Sequence, residues 1–114
     1  MSQNQADVPS EPVAIESEAH LEEVVSEYDV VLVDFYADWC GPCKMLEPVL
    51  EGLARSTDAA IAKVNVDDHQ ILAGRMGVQG VPTLLLYADG AQVERVVGVQ
   101  PAERLQALIE SHSE

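Results

Sequence analysis

The sequence predicts an α/β fold in which a central mixed five-stranded sheet is flanked by four helices. Short runs rich in β-branched residues alternate with segments whose apolar residues recur every three or four positions. An Asp-Gly pair between the last two runs indicates a hairpin, so those two strands should be antiparallel. Alternating strands and helices of this kind are typical of a sheet covered on both faces.

The predicted strands are short and bounded by turn-forming residues. The central one, residues 30–36, is too short and too β-branched for a helix, which indicates a buried strand. Asp89-Gly90 supplies the hairpin turn. The other four strands are expected at residues 13–15, 60–66, 83–87 and 93–97.

Four amphipathic segments predict helices. Ser17 is suited to cap the first, Asp67 or Asp68 to cap the third, and Pro101 to open the fourth. Pro48 lies inside the second helix and should kink it. The apolar faces are expected at Leu21, Val24, Val25 and Tyr28; at Leu46, Val49, Leu50 and Leu53; at Ile71, Leu72 and Met76; and at Leu105, Leu108 and Ile109.

The chain of 114 residues is long enough for one domain, expected at residues 13–114 and preceded by a flexible acidic N-terminal tail at 1–12. The tail lacks the basic and apolar regions of a secretory signal, and no apolar run approaches the roughly 18 residues of a membrane span. A cytoplasmic protein is therefore expected. In that compartment a cysteine pair is more often catalytic or metal-binding than structural.

The charge is strongly negative. Twenty acidic residues against six basic ones give a net charge of −14. This charge excludes general nucleic-acid binding and disfavours anionic membranes, because both would be repelled. Since salt screens such self-repulsion, a halophilic source is one explanation, and a moderately acidic protein with solvated Glu and Asp faces is the other.

The two cysteines, Cys40 and Cys43, are spaced as C-x-x-C between the central strand and the second helix. One helical turn would put both sulfurs on the same face, close enough for a disulfide. Such a short loop adds little stability, which favours a reversible bond. Cys40 is expected at the helix N-terminus, where backbone N–H groups favour a thiolate, so it is the predicted nucleophile and Cys43 the resolving thiol.

Two other uses of the cysteines compete with redox chemistry. A structural zinc site usually has four ligands, and His20, His69 and His112 lack ligand spacing, so no metal is expected. Inert buried cysteines would gain nothing from the intervening Gly41 and Pro42. Gly41 keeps the approach to sulfur open, and Pro42 suits the first helical turn.

Three neighbouring residues have two interpretations each. Asp34 interrupts the central strand, either as a buried carboxyl able to exchange protons or as a solvated residue at a frayed strand end. Trp39 either forms a contact surface for partner proteins or belongs to the core. The Val81-Pro82 bond, which follows two loop glycines, is either cis or an ordinary trans bond.

These residues together resemble the thioredoxin family. The matching blocks are VDFYADWCGPCK at 33–44, Pro48, KVNVD at 63–67, GVPTL at 80–84, and Val97-Gly98. The resemblance covers the chain from about Val13 to Ile109 and implies the thioredoxin fold. Tyr36 stands where many members have Trp, and the negative charge exceeds that of familiar members.

The resemblance implies a protein disulfide reductase. Cys40 would form a mixed disulfide with a target, and Cys43 would release the reduced target by closing the Cys40–Cys43 disulfide. Asp34 would assist deprotonation of Cys43, and Lys63 would tune Asp34. A cis Pro82 would pack against the cysteines. The residues framing the peptide-docking surface would be Trp39, Gly41, Pro42, Gly80, Val81, Pro82 and Gly98.

The resemblance also implies partners. A separate flavin-containing thioredoxin reductase would reduce the oxidised protein. Targets would be disulfide-containing proteins such as ribonucleotide reductase, peroxiredoxin or methionine sulfoxide reductase. No G-x-G-x-x-G motif is present, so no bound cofactor is expected, and the chain is expected to be a monomer. A donor dedicated to one enzyme, a non-redox scaffold subunit, and an isomerase or oxidase are the competing functions.

Overall fold

Residues 7–113 are described by a computed structural model of the protein. Within them the chain forms β1 (Val13–Ala14), α1 (Glu18–Glu27), β2 (Val30–Tyr36), α2 (Gly41–Ser56), β3 (Ala60–Asn65), α3 (Gln70–Arg75), β4 (Thr83–Ala88), β5 (Ala91–Val97) and α4 (Ala102–Ser111). The predicted order of strands and helices is confirmed.

The five strands form one mixed sheet with the order β1-β3-β2-β4-β5. Strand β2 lies at its centre, parallel to β3 and antiparallel to β4. Strand β5 returns antiparallel to β4 at the edge of the sheet. The hairpin turn places both Asp89 and Gly90 in the left-handed region, with φ of 53° and 85°, which is the geometry of a two-residue type I′ turn.

Each face of the sheet carries its own apolar core. Val31, Val33 and Phe35 of β2 pack with residues of α1 and α3, whereas Val30 and Leu32 pack with residues of α2 and α4. Side chains alternate along a strand, so Asp34 shares the α2 and α4 face with Leu32. This alternation points a carboxyl toward the helix that begins with the cysteine pair.

The predicted cap of the third helix was wrong. The N-cap of α3 is His69, which makes no side-chain capping hydrogen bond, and Ile71 is 75% exposed rather than part of an apolar face. The preceding turn is organised by Asn65, whose Oδ1 accepts hydrogen bonds from the backbone N–H groups of Asp67 and Asp68. An Asx turn therefore takes the place of the expected aspartate cap.

The other helix termini follow the predicted chemistry. Ser17 caps α1, its Oγ accepting the N–H of His20 at 3.0 Å.

Pro48 lies inside α2, which continues to Ser56. None of the helices in the described part of the chain is long and apolar enough to cross a membrane.

Only part of the predicted N-terminal tail falls within the described residues. Positions 1–6 lie outside them. In the remainder, Val8 is half-buried and packs against the core that α1 and α3 cover.

Candidate functional site

The cysteine pair lies where β2 passes into α2, at the carboxyl end of the central strand. Cys40 and Cys43 form a disulfide with their Cα atoms 5.3 Å apart. Cys40 is the N-cap residue of α2, and Pro42 occupies the first turn, where its missing N–H leaves no hydrogen bond unmade. The sequence predicted both positions.

The backbone of α2 is directed at the sulfur of Cys40. The N–H of Cys43 donates to Cys40 Sγ at 3.1 Å. Helix N-termini present unpaired N–H groups and a partial positive charge, so this arrangement stabilises negative charge on Cys40 Sγ once the disulfide is reduced. Cys43 lies one turn further along the helix.

The two cysteines are buried, but the residue beside them, Trp39, is exposed to solvent. Cys40 is 4% exposed and Cys43 is 1% exposed. They cluster with Ala37, and Tyr36 and Val81 pack against them. Trp39, directly before Cys40, is 71% exposed, so it is a surface residue and not the core tryptophan that was the alternative.

Trp39 is held in place by a residue that the sequence had suggested for another role. Its indole Nε1–H donates to Asp67 Oδ2 at 3.0 Å. Asp67 comes from the connection after β3, 28 residues along the chain. No local pattern links the two positions, which is why Asp67 was expected to cap a helix instead.

Asp34 is fully buried, as the first of its two interpretations requires. Neither of its carboxyl oxygens has a hydrogen-bond partner among residues 7–113. Burial raises the pKa of Asp34 from 3.8 to about 7, opposed by the positive charge of Lys63 and reinforced by the negative charge of Glu47. A carboxyl with this pKa can gain or lose a proton near neutral pH.

Lys63 neighbours Asp34, as the resemblance implied, because the two residues are paired in the β2–β3 register. Its ammonium, however, forms an ion pair with Glu47, with Nζ 3.5 Å from Oε2. The same Nζ lies 4.4 Å from the centre of the Tyr36 ring. Glu47 was not recognised in the sequence as part of this site.

The loop before β4 contacts the disulfide. The Val81–Pro82 peptide bond is cis, as the resemblance implied. The carbonyl oxygen of Val81 lies 3.7 Å from Cys40 Sγ. Gly98, at a φ of 93°, donates its N–H to the carbonyl of Pro82 at 2.8 Å. The carbonyl of Gly80 accepts a hydrogen bond from Thr83 Oγ1 at 2.7 Å.

A shallow cleft of about 560 Å³ adjoins this loop. Gly77, Gly80 and Arg95 are among its lining residues. Arg95 donates to the carbonyl oxygens of Met76 and Gly77 and so ties the start of the loop to β5. The sequence contains no signal for this contact, since the two segments meet only through the sheet.

Within residues 7–113, no group of three or more His, Cys, Asp or Glu side chains is arranged to hold a metal ion. The chemistry available at the site is that of the two sulfurs and the carboxyl behind them. A disulfide at a helix N-terminus, with a buried carboxyl on the sheet face that the same helix covers, is typical of a thiol-disulfide oxidoreductase.

Comparison with known proteins agrees with this class. The family model described as Thioredoxin matches residues 11–111. The chain is 53% identical over 85 residues to the thioredoxin of Chlamydia caviae, covering 74% of this chain and 83% of the relative. It is 51% identical over 85 residues to that of Bacillus subtilis, covering 73% and 82%.

A solved structure extends the similarity over nearly the whole chain. A mutant thioredoxin from Halobacterium salinarum superposes with a TM-score of 0.92 and 58% identity, covering 96% of both chains. The chain belongs to the thioredoxin family, whose members are disulfide oxidoreductases. The predicted fold and the predicted redox function are confirmed.

Proposed function

We propose that this protein reduces disulfide bonds in other proteins, with Cys40 as nucleophile and Cys43 as resolving thiol. The observation that carries the proposal is the hydrogen bond from the Cys43 N–H to Cys40 Sγ at the start of α2. That contact favours a thiolate on Cys40, which is the attacking species in thiol-disulfide exchange.

The exchange balances in two steps. In the first, the Cys40 thiolate attacks one sulfur of the target disulfide, forms a mixed disulfide and expels the other target sulfur as a thiolate. In the second, Cys43 loses its proton, and its thiolate attacks Cys40 Sγ and expels the remaining target thiolate. Two electrons pass to the target, and the Cys40–Cys43 disulfide holds the oxidised state.

Asp34 is proposed as the group that takes the proton of Cys43 in the second step. Its burial on the face toward α2 and its pKa of about 7 support this role, because the carboxyl can accept and return a proton near neutral pH. Lys63, its partner in the strand register, is proposed to tune that proton affinity.

The docking surface is proposed to surround the Cys40 sulfur. Trp39, directly before Cys40, supplies exposed apolar area, and the loop of Gly80, Val81 and Pro82 contacts Cys40 through Val81. Gly41 has no atom within 4 Å of the position its Cβ would occupy, so the helix start leaves room for a target chain. We place Pro42 and Gly98 at the margins of the same surface.

The proposal extends to partners and setting. The oxidised protein would be re-reduced by a thioredoxin reductase. Its targets would include ribonucleotide reductase, peroxiredoxin and methionine sulfoxide reductase. We place the protein in the cytoplasm as a monomer that binds neither nucleic acid nor membranes. Residues 13–114 are proposed as its domain, and Val8 of the preceding segment packs against the core of that domain. The net charge of −14 supports a halophilic source.

The test is dithiothreitol-driven reduction of insulin disulfides by the wild-type protein and by Cys40→Ser. Wild-type protein should accelerate insulin precipitation, and Cys40→Ser should fall to the rate of dithiothreitol alone, because no mixed disulfide can form. Equal rates for the two proteins would refute the assignment of Cys40.

Trapping with Cys43→Ser then separates a general reductase from a dedicated donor. This variant can form the mixed disulfide but cannot resolve it, so its targets remain attached. Many different adducts from a cell extract are expected for a general reductase. A single adduct would refute general use and indicate a donor dedicated to one enzyme.

A further inference from the structure

The ammonium of Lys63 faces two carboxyl groups of different exposure. Asp34 is fully buried, Lys63 has a side chain 19% exposed, and the side chain of Glu47 is 45% exposed. The three groups therefore run from the interior toward solvent. The hydrogen bond of Lys63 Nζ goes outward, to Glu47 Oε2 at 3.5 Å, and not inward to Asp34.

Among residues 7–113, two charged side chains shift the pKa of Asp34. Lys63 comes from β3 and Glu47 from α2, which also carries the two cysteines. Across the other strand interface its partner in β4 is the apolar Leu84. The balance between Lys63 and Glu47 is thus the main charge control on this carboxyl.

We propose that Glu47 is a positioning residue that holds the Lys63 ammonium on the solvent side of Asp34, so that the Asp34 carboxyl keeps the proton affinity it needs to take a proton from Cys43. The proposal deepens the proposed function and rests on it for the role of Asp34. The Tyr36 ring, 4.4 Å from Nζ, supports the ammonium in this outward position.

Removing the charge of Glu47 has two effects of the same sign. The repulsion between two carboxylates disappears, and Lys63 loses the partner that draws it outward. Both changes favour the ionised form of Asp34 and lower its pKa. A close opposite charge lowers a carboxyl pKa by about 1–3 units, and Glu47 is half-exposed and partly screened, so Glu47→Gln should lower the Asp34 titration midpoint by roughly 0.5–1 pH unit.

The experiment follows the side-chain carboxyl of Asp34 by ¹³C NMR from pH 4 to pH 10 in the oxidised protein. The matched control is Glu51→Gln, which removes an exposed carboxylate one turn further along α2. It should leave the midpoint at the wild-type value, whereas Glu47→Gln lowers it. A Glu47→Gln midpoint equal to that of Glu51→Gln would overturn the proposal.

A Lys63→Gln background separates positioning from simple repulsion. If Glu47 acts through Lys63, the drop caused by Glu47→Gln should be less than half as large there. An equal drop in both backgrounds would show that Glu47 acts on Asp34 by its own charge and would overturn the positioning role. Backbone NMR spectra of each variant verify that it is folded.

Kinetics link the titration to catalysis. The pH profile for release of a thiol from the Cys40 mixed disulfide should move to lower pH in Glu47→Gln by the same amount as the midpoint, and an unmoved profile would overturn the catalytic consequence. Failure of the wild-type protein to reduce insulin would refute the proposed function instead, and the titration would stand unaffected.

Discussion

Replacing Asp34 with Asn tests the central electrostatic feature of the site through stability. Asn has nearly the shape of Asp but no charge, so the variant removes the ionisation that burial opposes. A buried carboxyl that accepts no hydrogen bond from residues 7–113 should destabilise the fold most when it is ionised. The variant should therefore gain stability over the wild type as the pH rises.

The magnitude follows from the pKa of Asp34, which burial raises from the ordinary value of 3.8 to about 7 in the fold. Each pKa unit is worth 1.36 kcal/mol, so the full effect is about 4 kcal/mol. Below pH 3.8 both states are protonated and no stability is lost. Between the two values the unfolded chain binds fewer protons than the fold, so stability falls as the pH rises through 7. Roughly 3 kcal/mol of the loss falls between pH 5 and pH 9.

Urea unfolding of the oxidised proteins at several pH values measures this difference. The free energy of unfolding of Asp34→Asn minus that of the wild type should increase by about 3 kcal/mol from pH 5 to pH 9. Taking the difference cancels the titration of the other acidic residues. If the difference in the free energy of unfolding changes by less than about 0.5 kcal/mol over this range, the conclusion that burial opposes ionisation of Asp34 is refuted.

Two further predictions concern the fold and its charge. Gly90→Ala should destabilise the fold by about 1–2 kcal/mol in urea unfolding, because Gly90 has a φ of 85°. The same change at Gly52, in the interior of α2, should stabilise the fold by up to about 1 kcal/mol. Destabilisation of equal size at both sites would contradict the assignment of these effects to backbone conformation. Because the net charge is −14, raising KCl to molar levels should screen the repulsion between carboxylates. The free energy of unfolding should rise by about 1 kcal/mol and Tm by roughly 4–8 °C. A flat or falling Tm would show that this repulsion does not limit stability.

The elements that the sequence predicted well are those fixed by local pattern. Strand β2 matches its predicted bounds of 30–36 because its mainly apolar run, rich in Val, begins after Asp29 and ends before the turn that starts at Ala37. The type I′ turn at Asp89 and Gly90 follows from residue types that tolerate positive φ. Helix α3 was misjudged because Asn65, outside the helix, organises the turn before it.

The site was predictable where its residues lie close together in the sequence. Cys40, Cys43 and Pro42 occupy the start of a helix, so their spacing alone fixed their arrangement. The interpretation of Asp34 depended on whether the strand was buried at that point, and local sequence cannot decide this. Likewise, the contact of Trp39 with Asp67 depends on where the connection after β3 is placed by the sheet.

Glu47 is a different case, because a local signal for it existed. It lies four residues after Cys43, so the periodicity of α2 puts it on the face that Cys43 presents to the sheet. What the sequence lacked was the position of Lys63, since helical periodicity says nothing about which residue of β3 faces Asp34. The parallel register of β2 and β3 supplies that residue. The charges that act on Asp34 are thus placed by two independent features, the periodicity of α2 for Glu47 and the β2–β3 register for Lys63. Local sequence gives the first of these features, and only the folded chain gives the second.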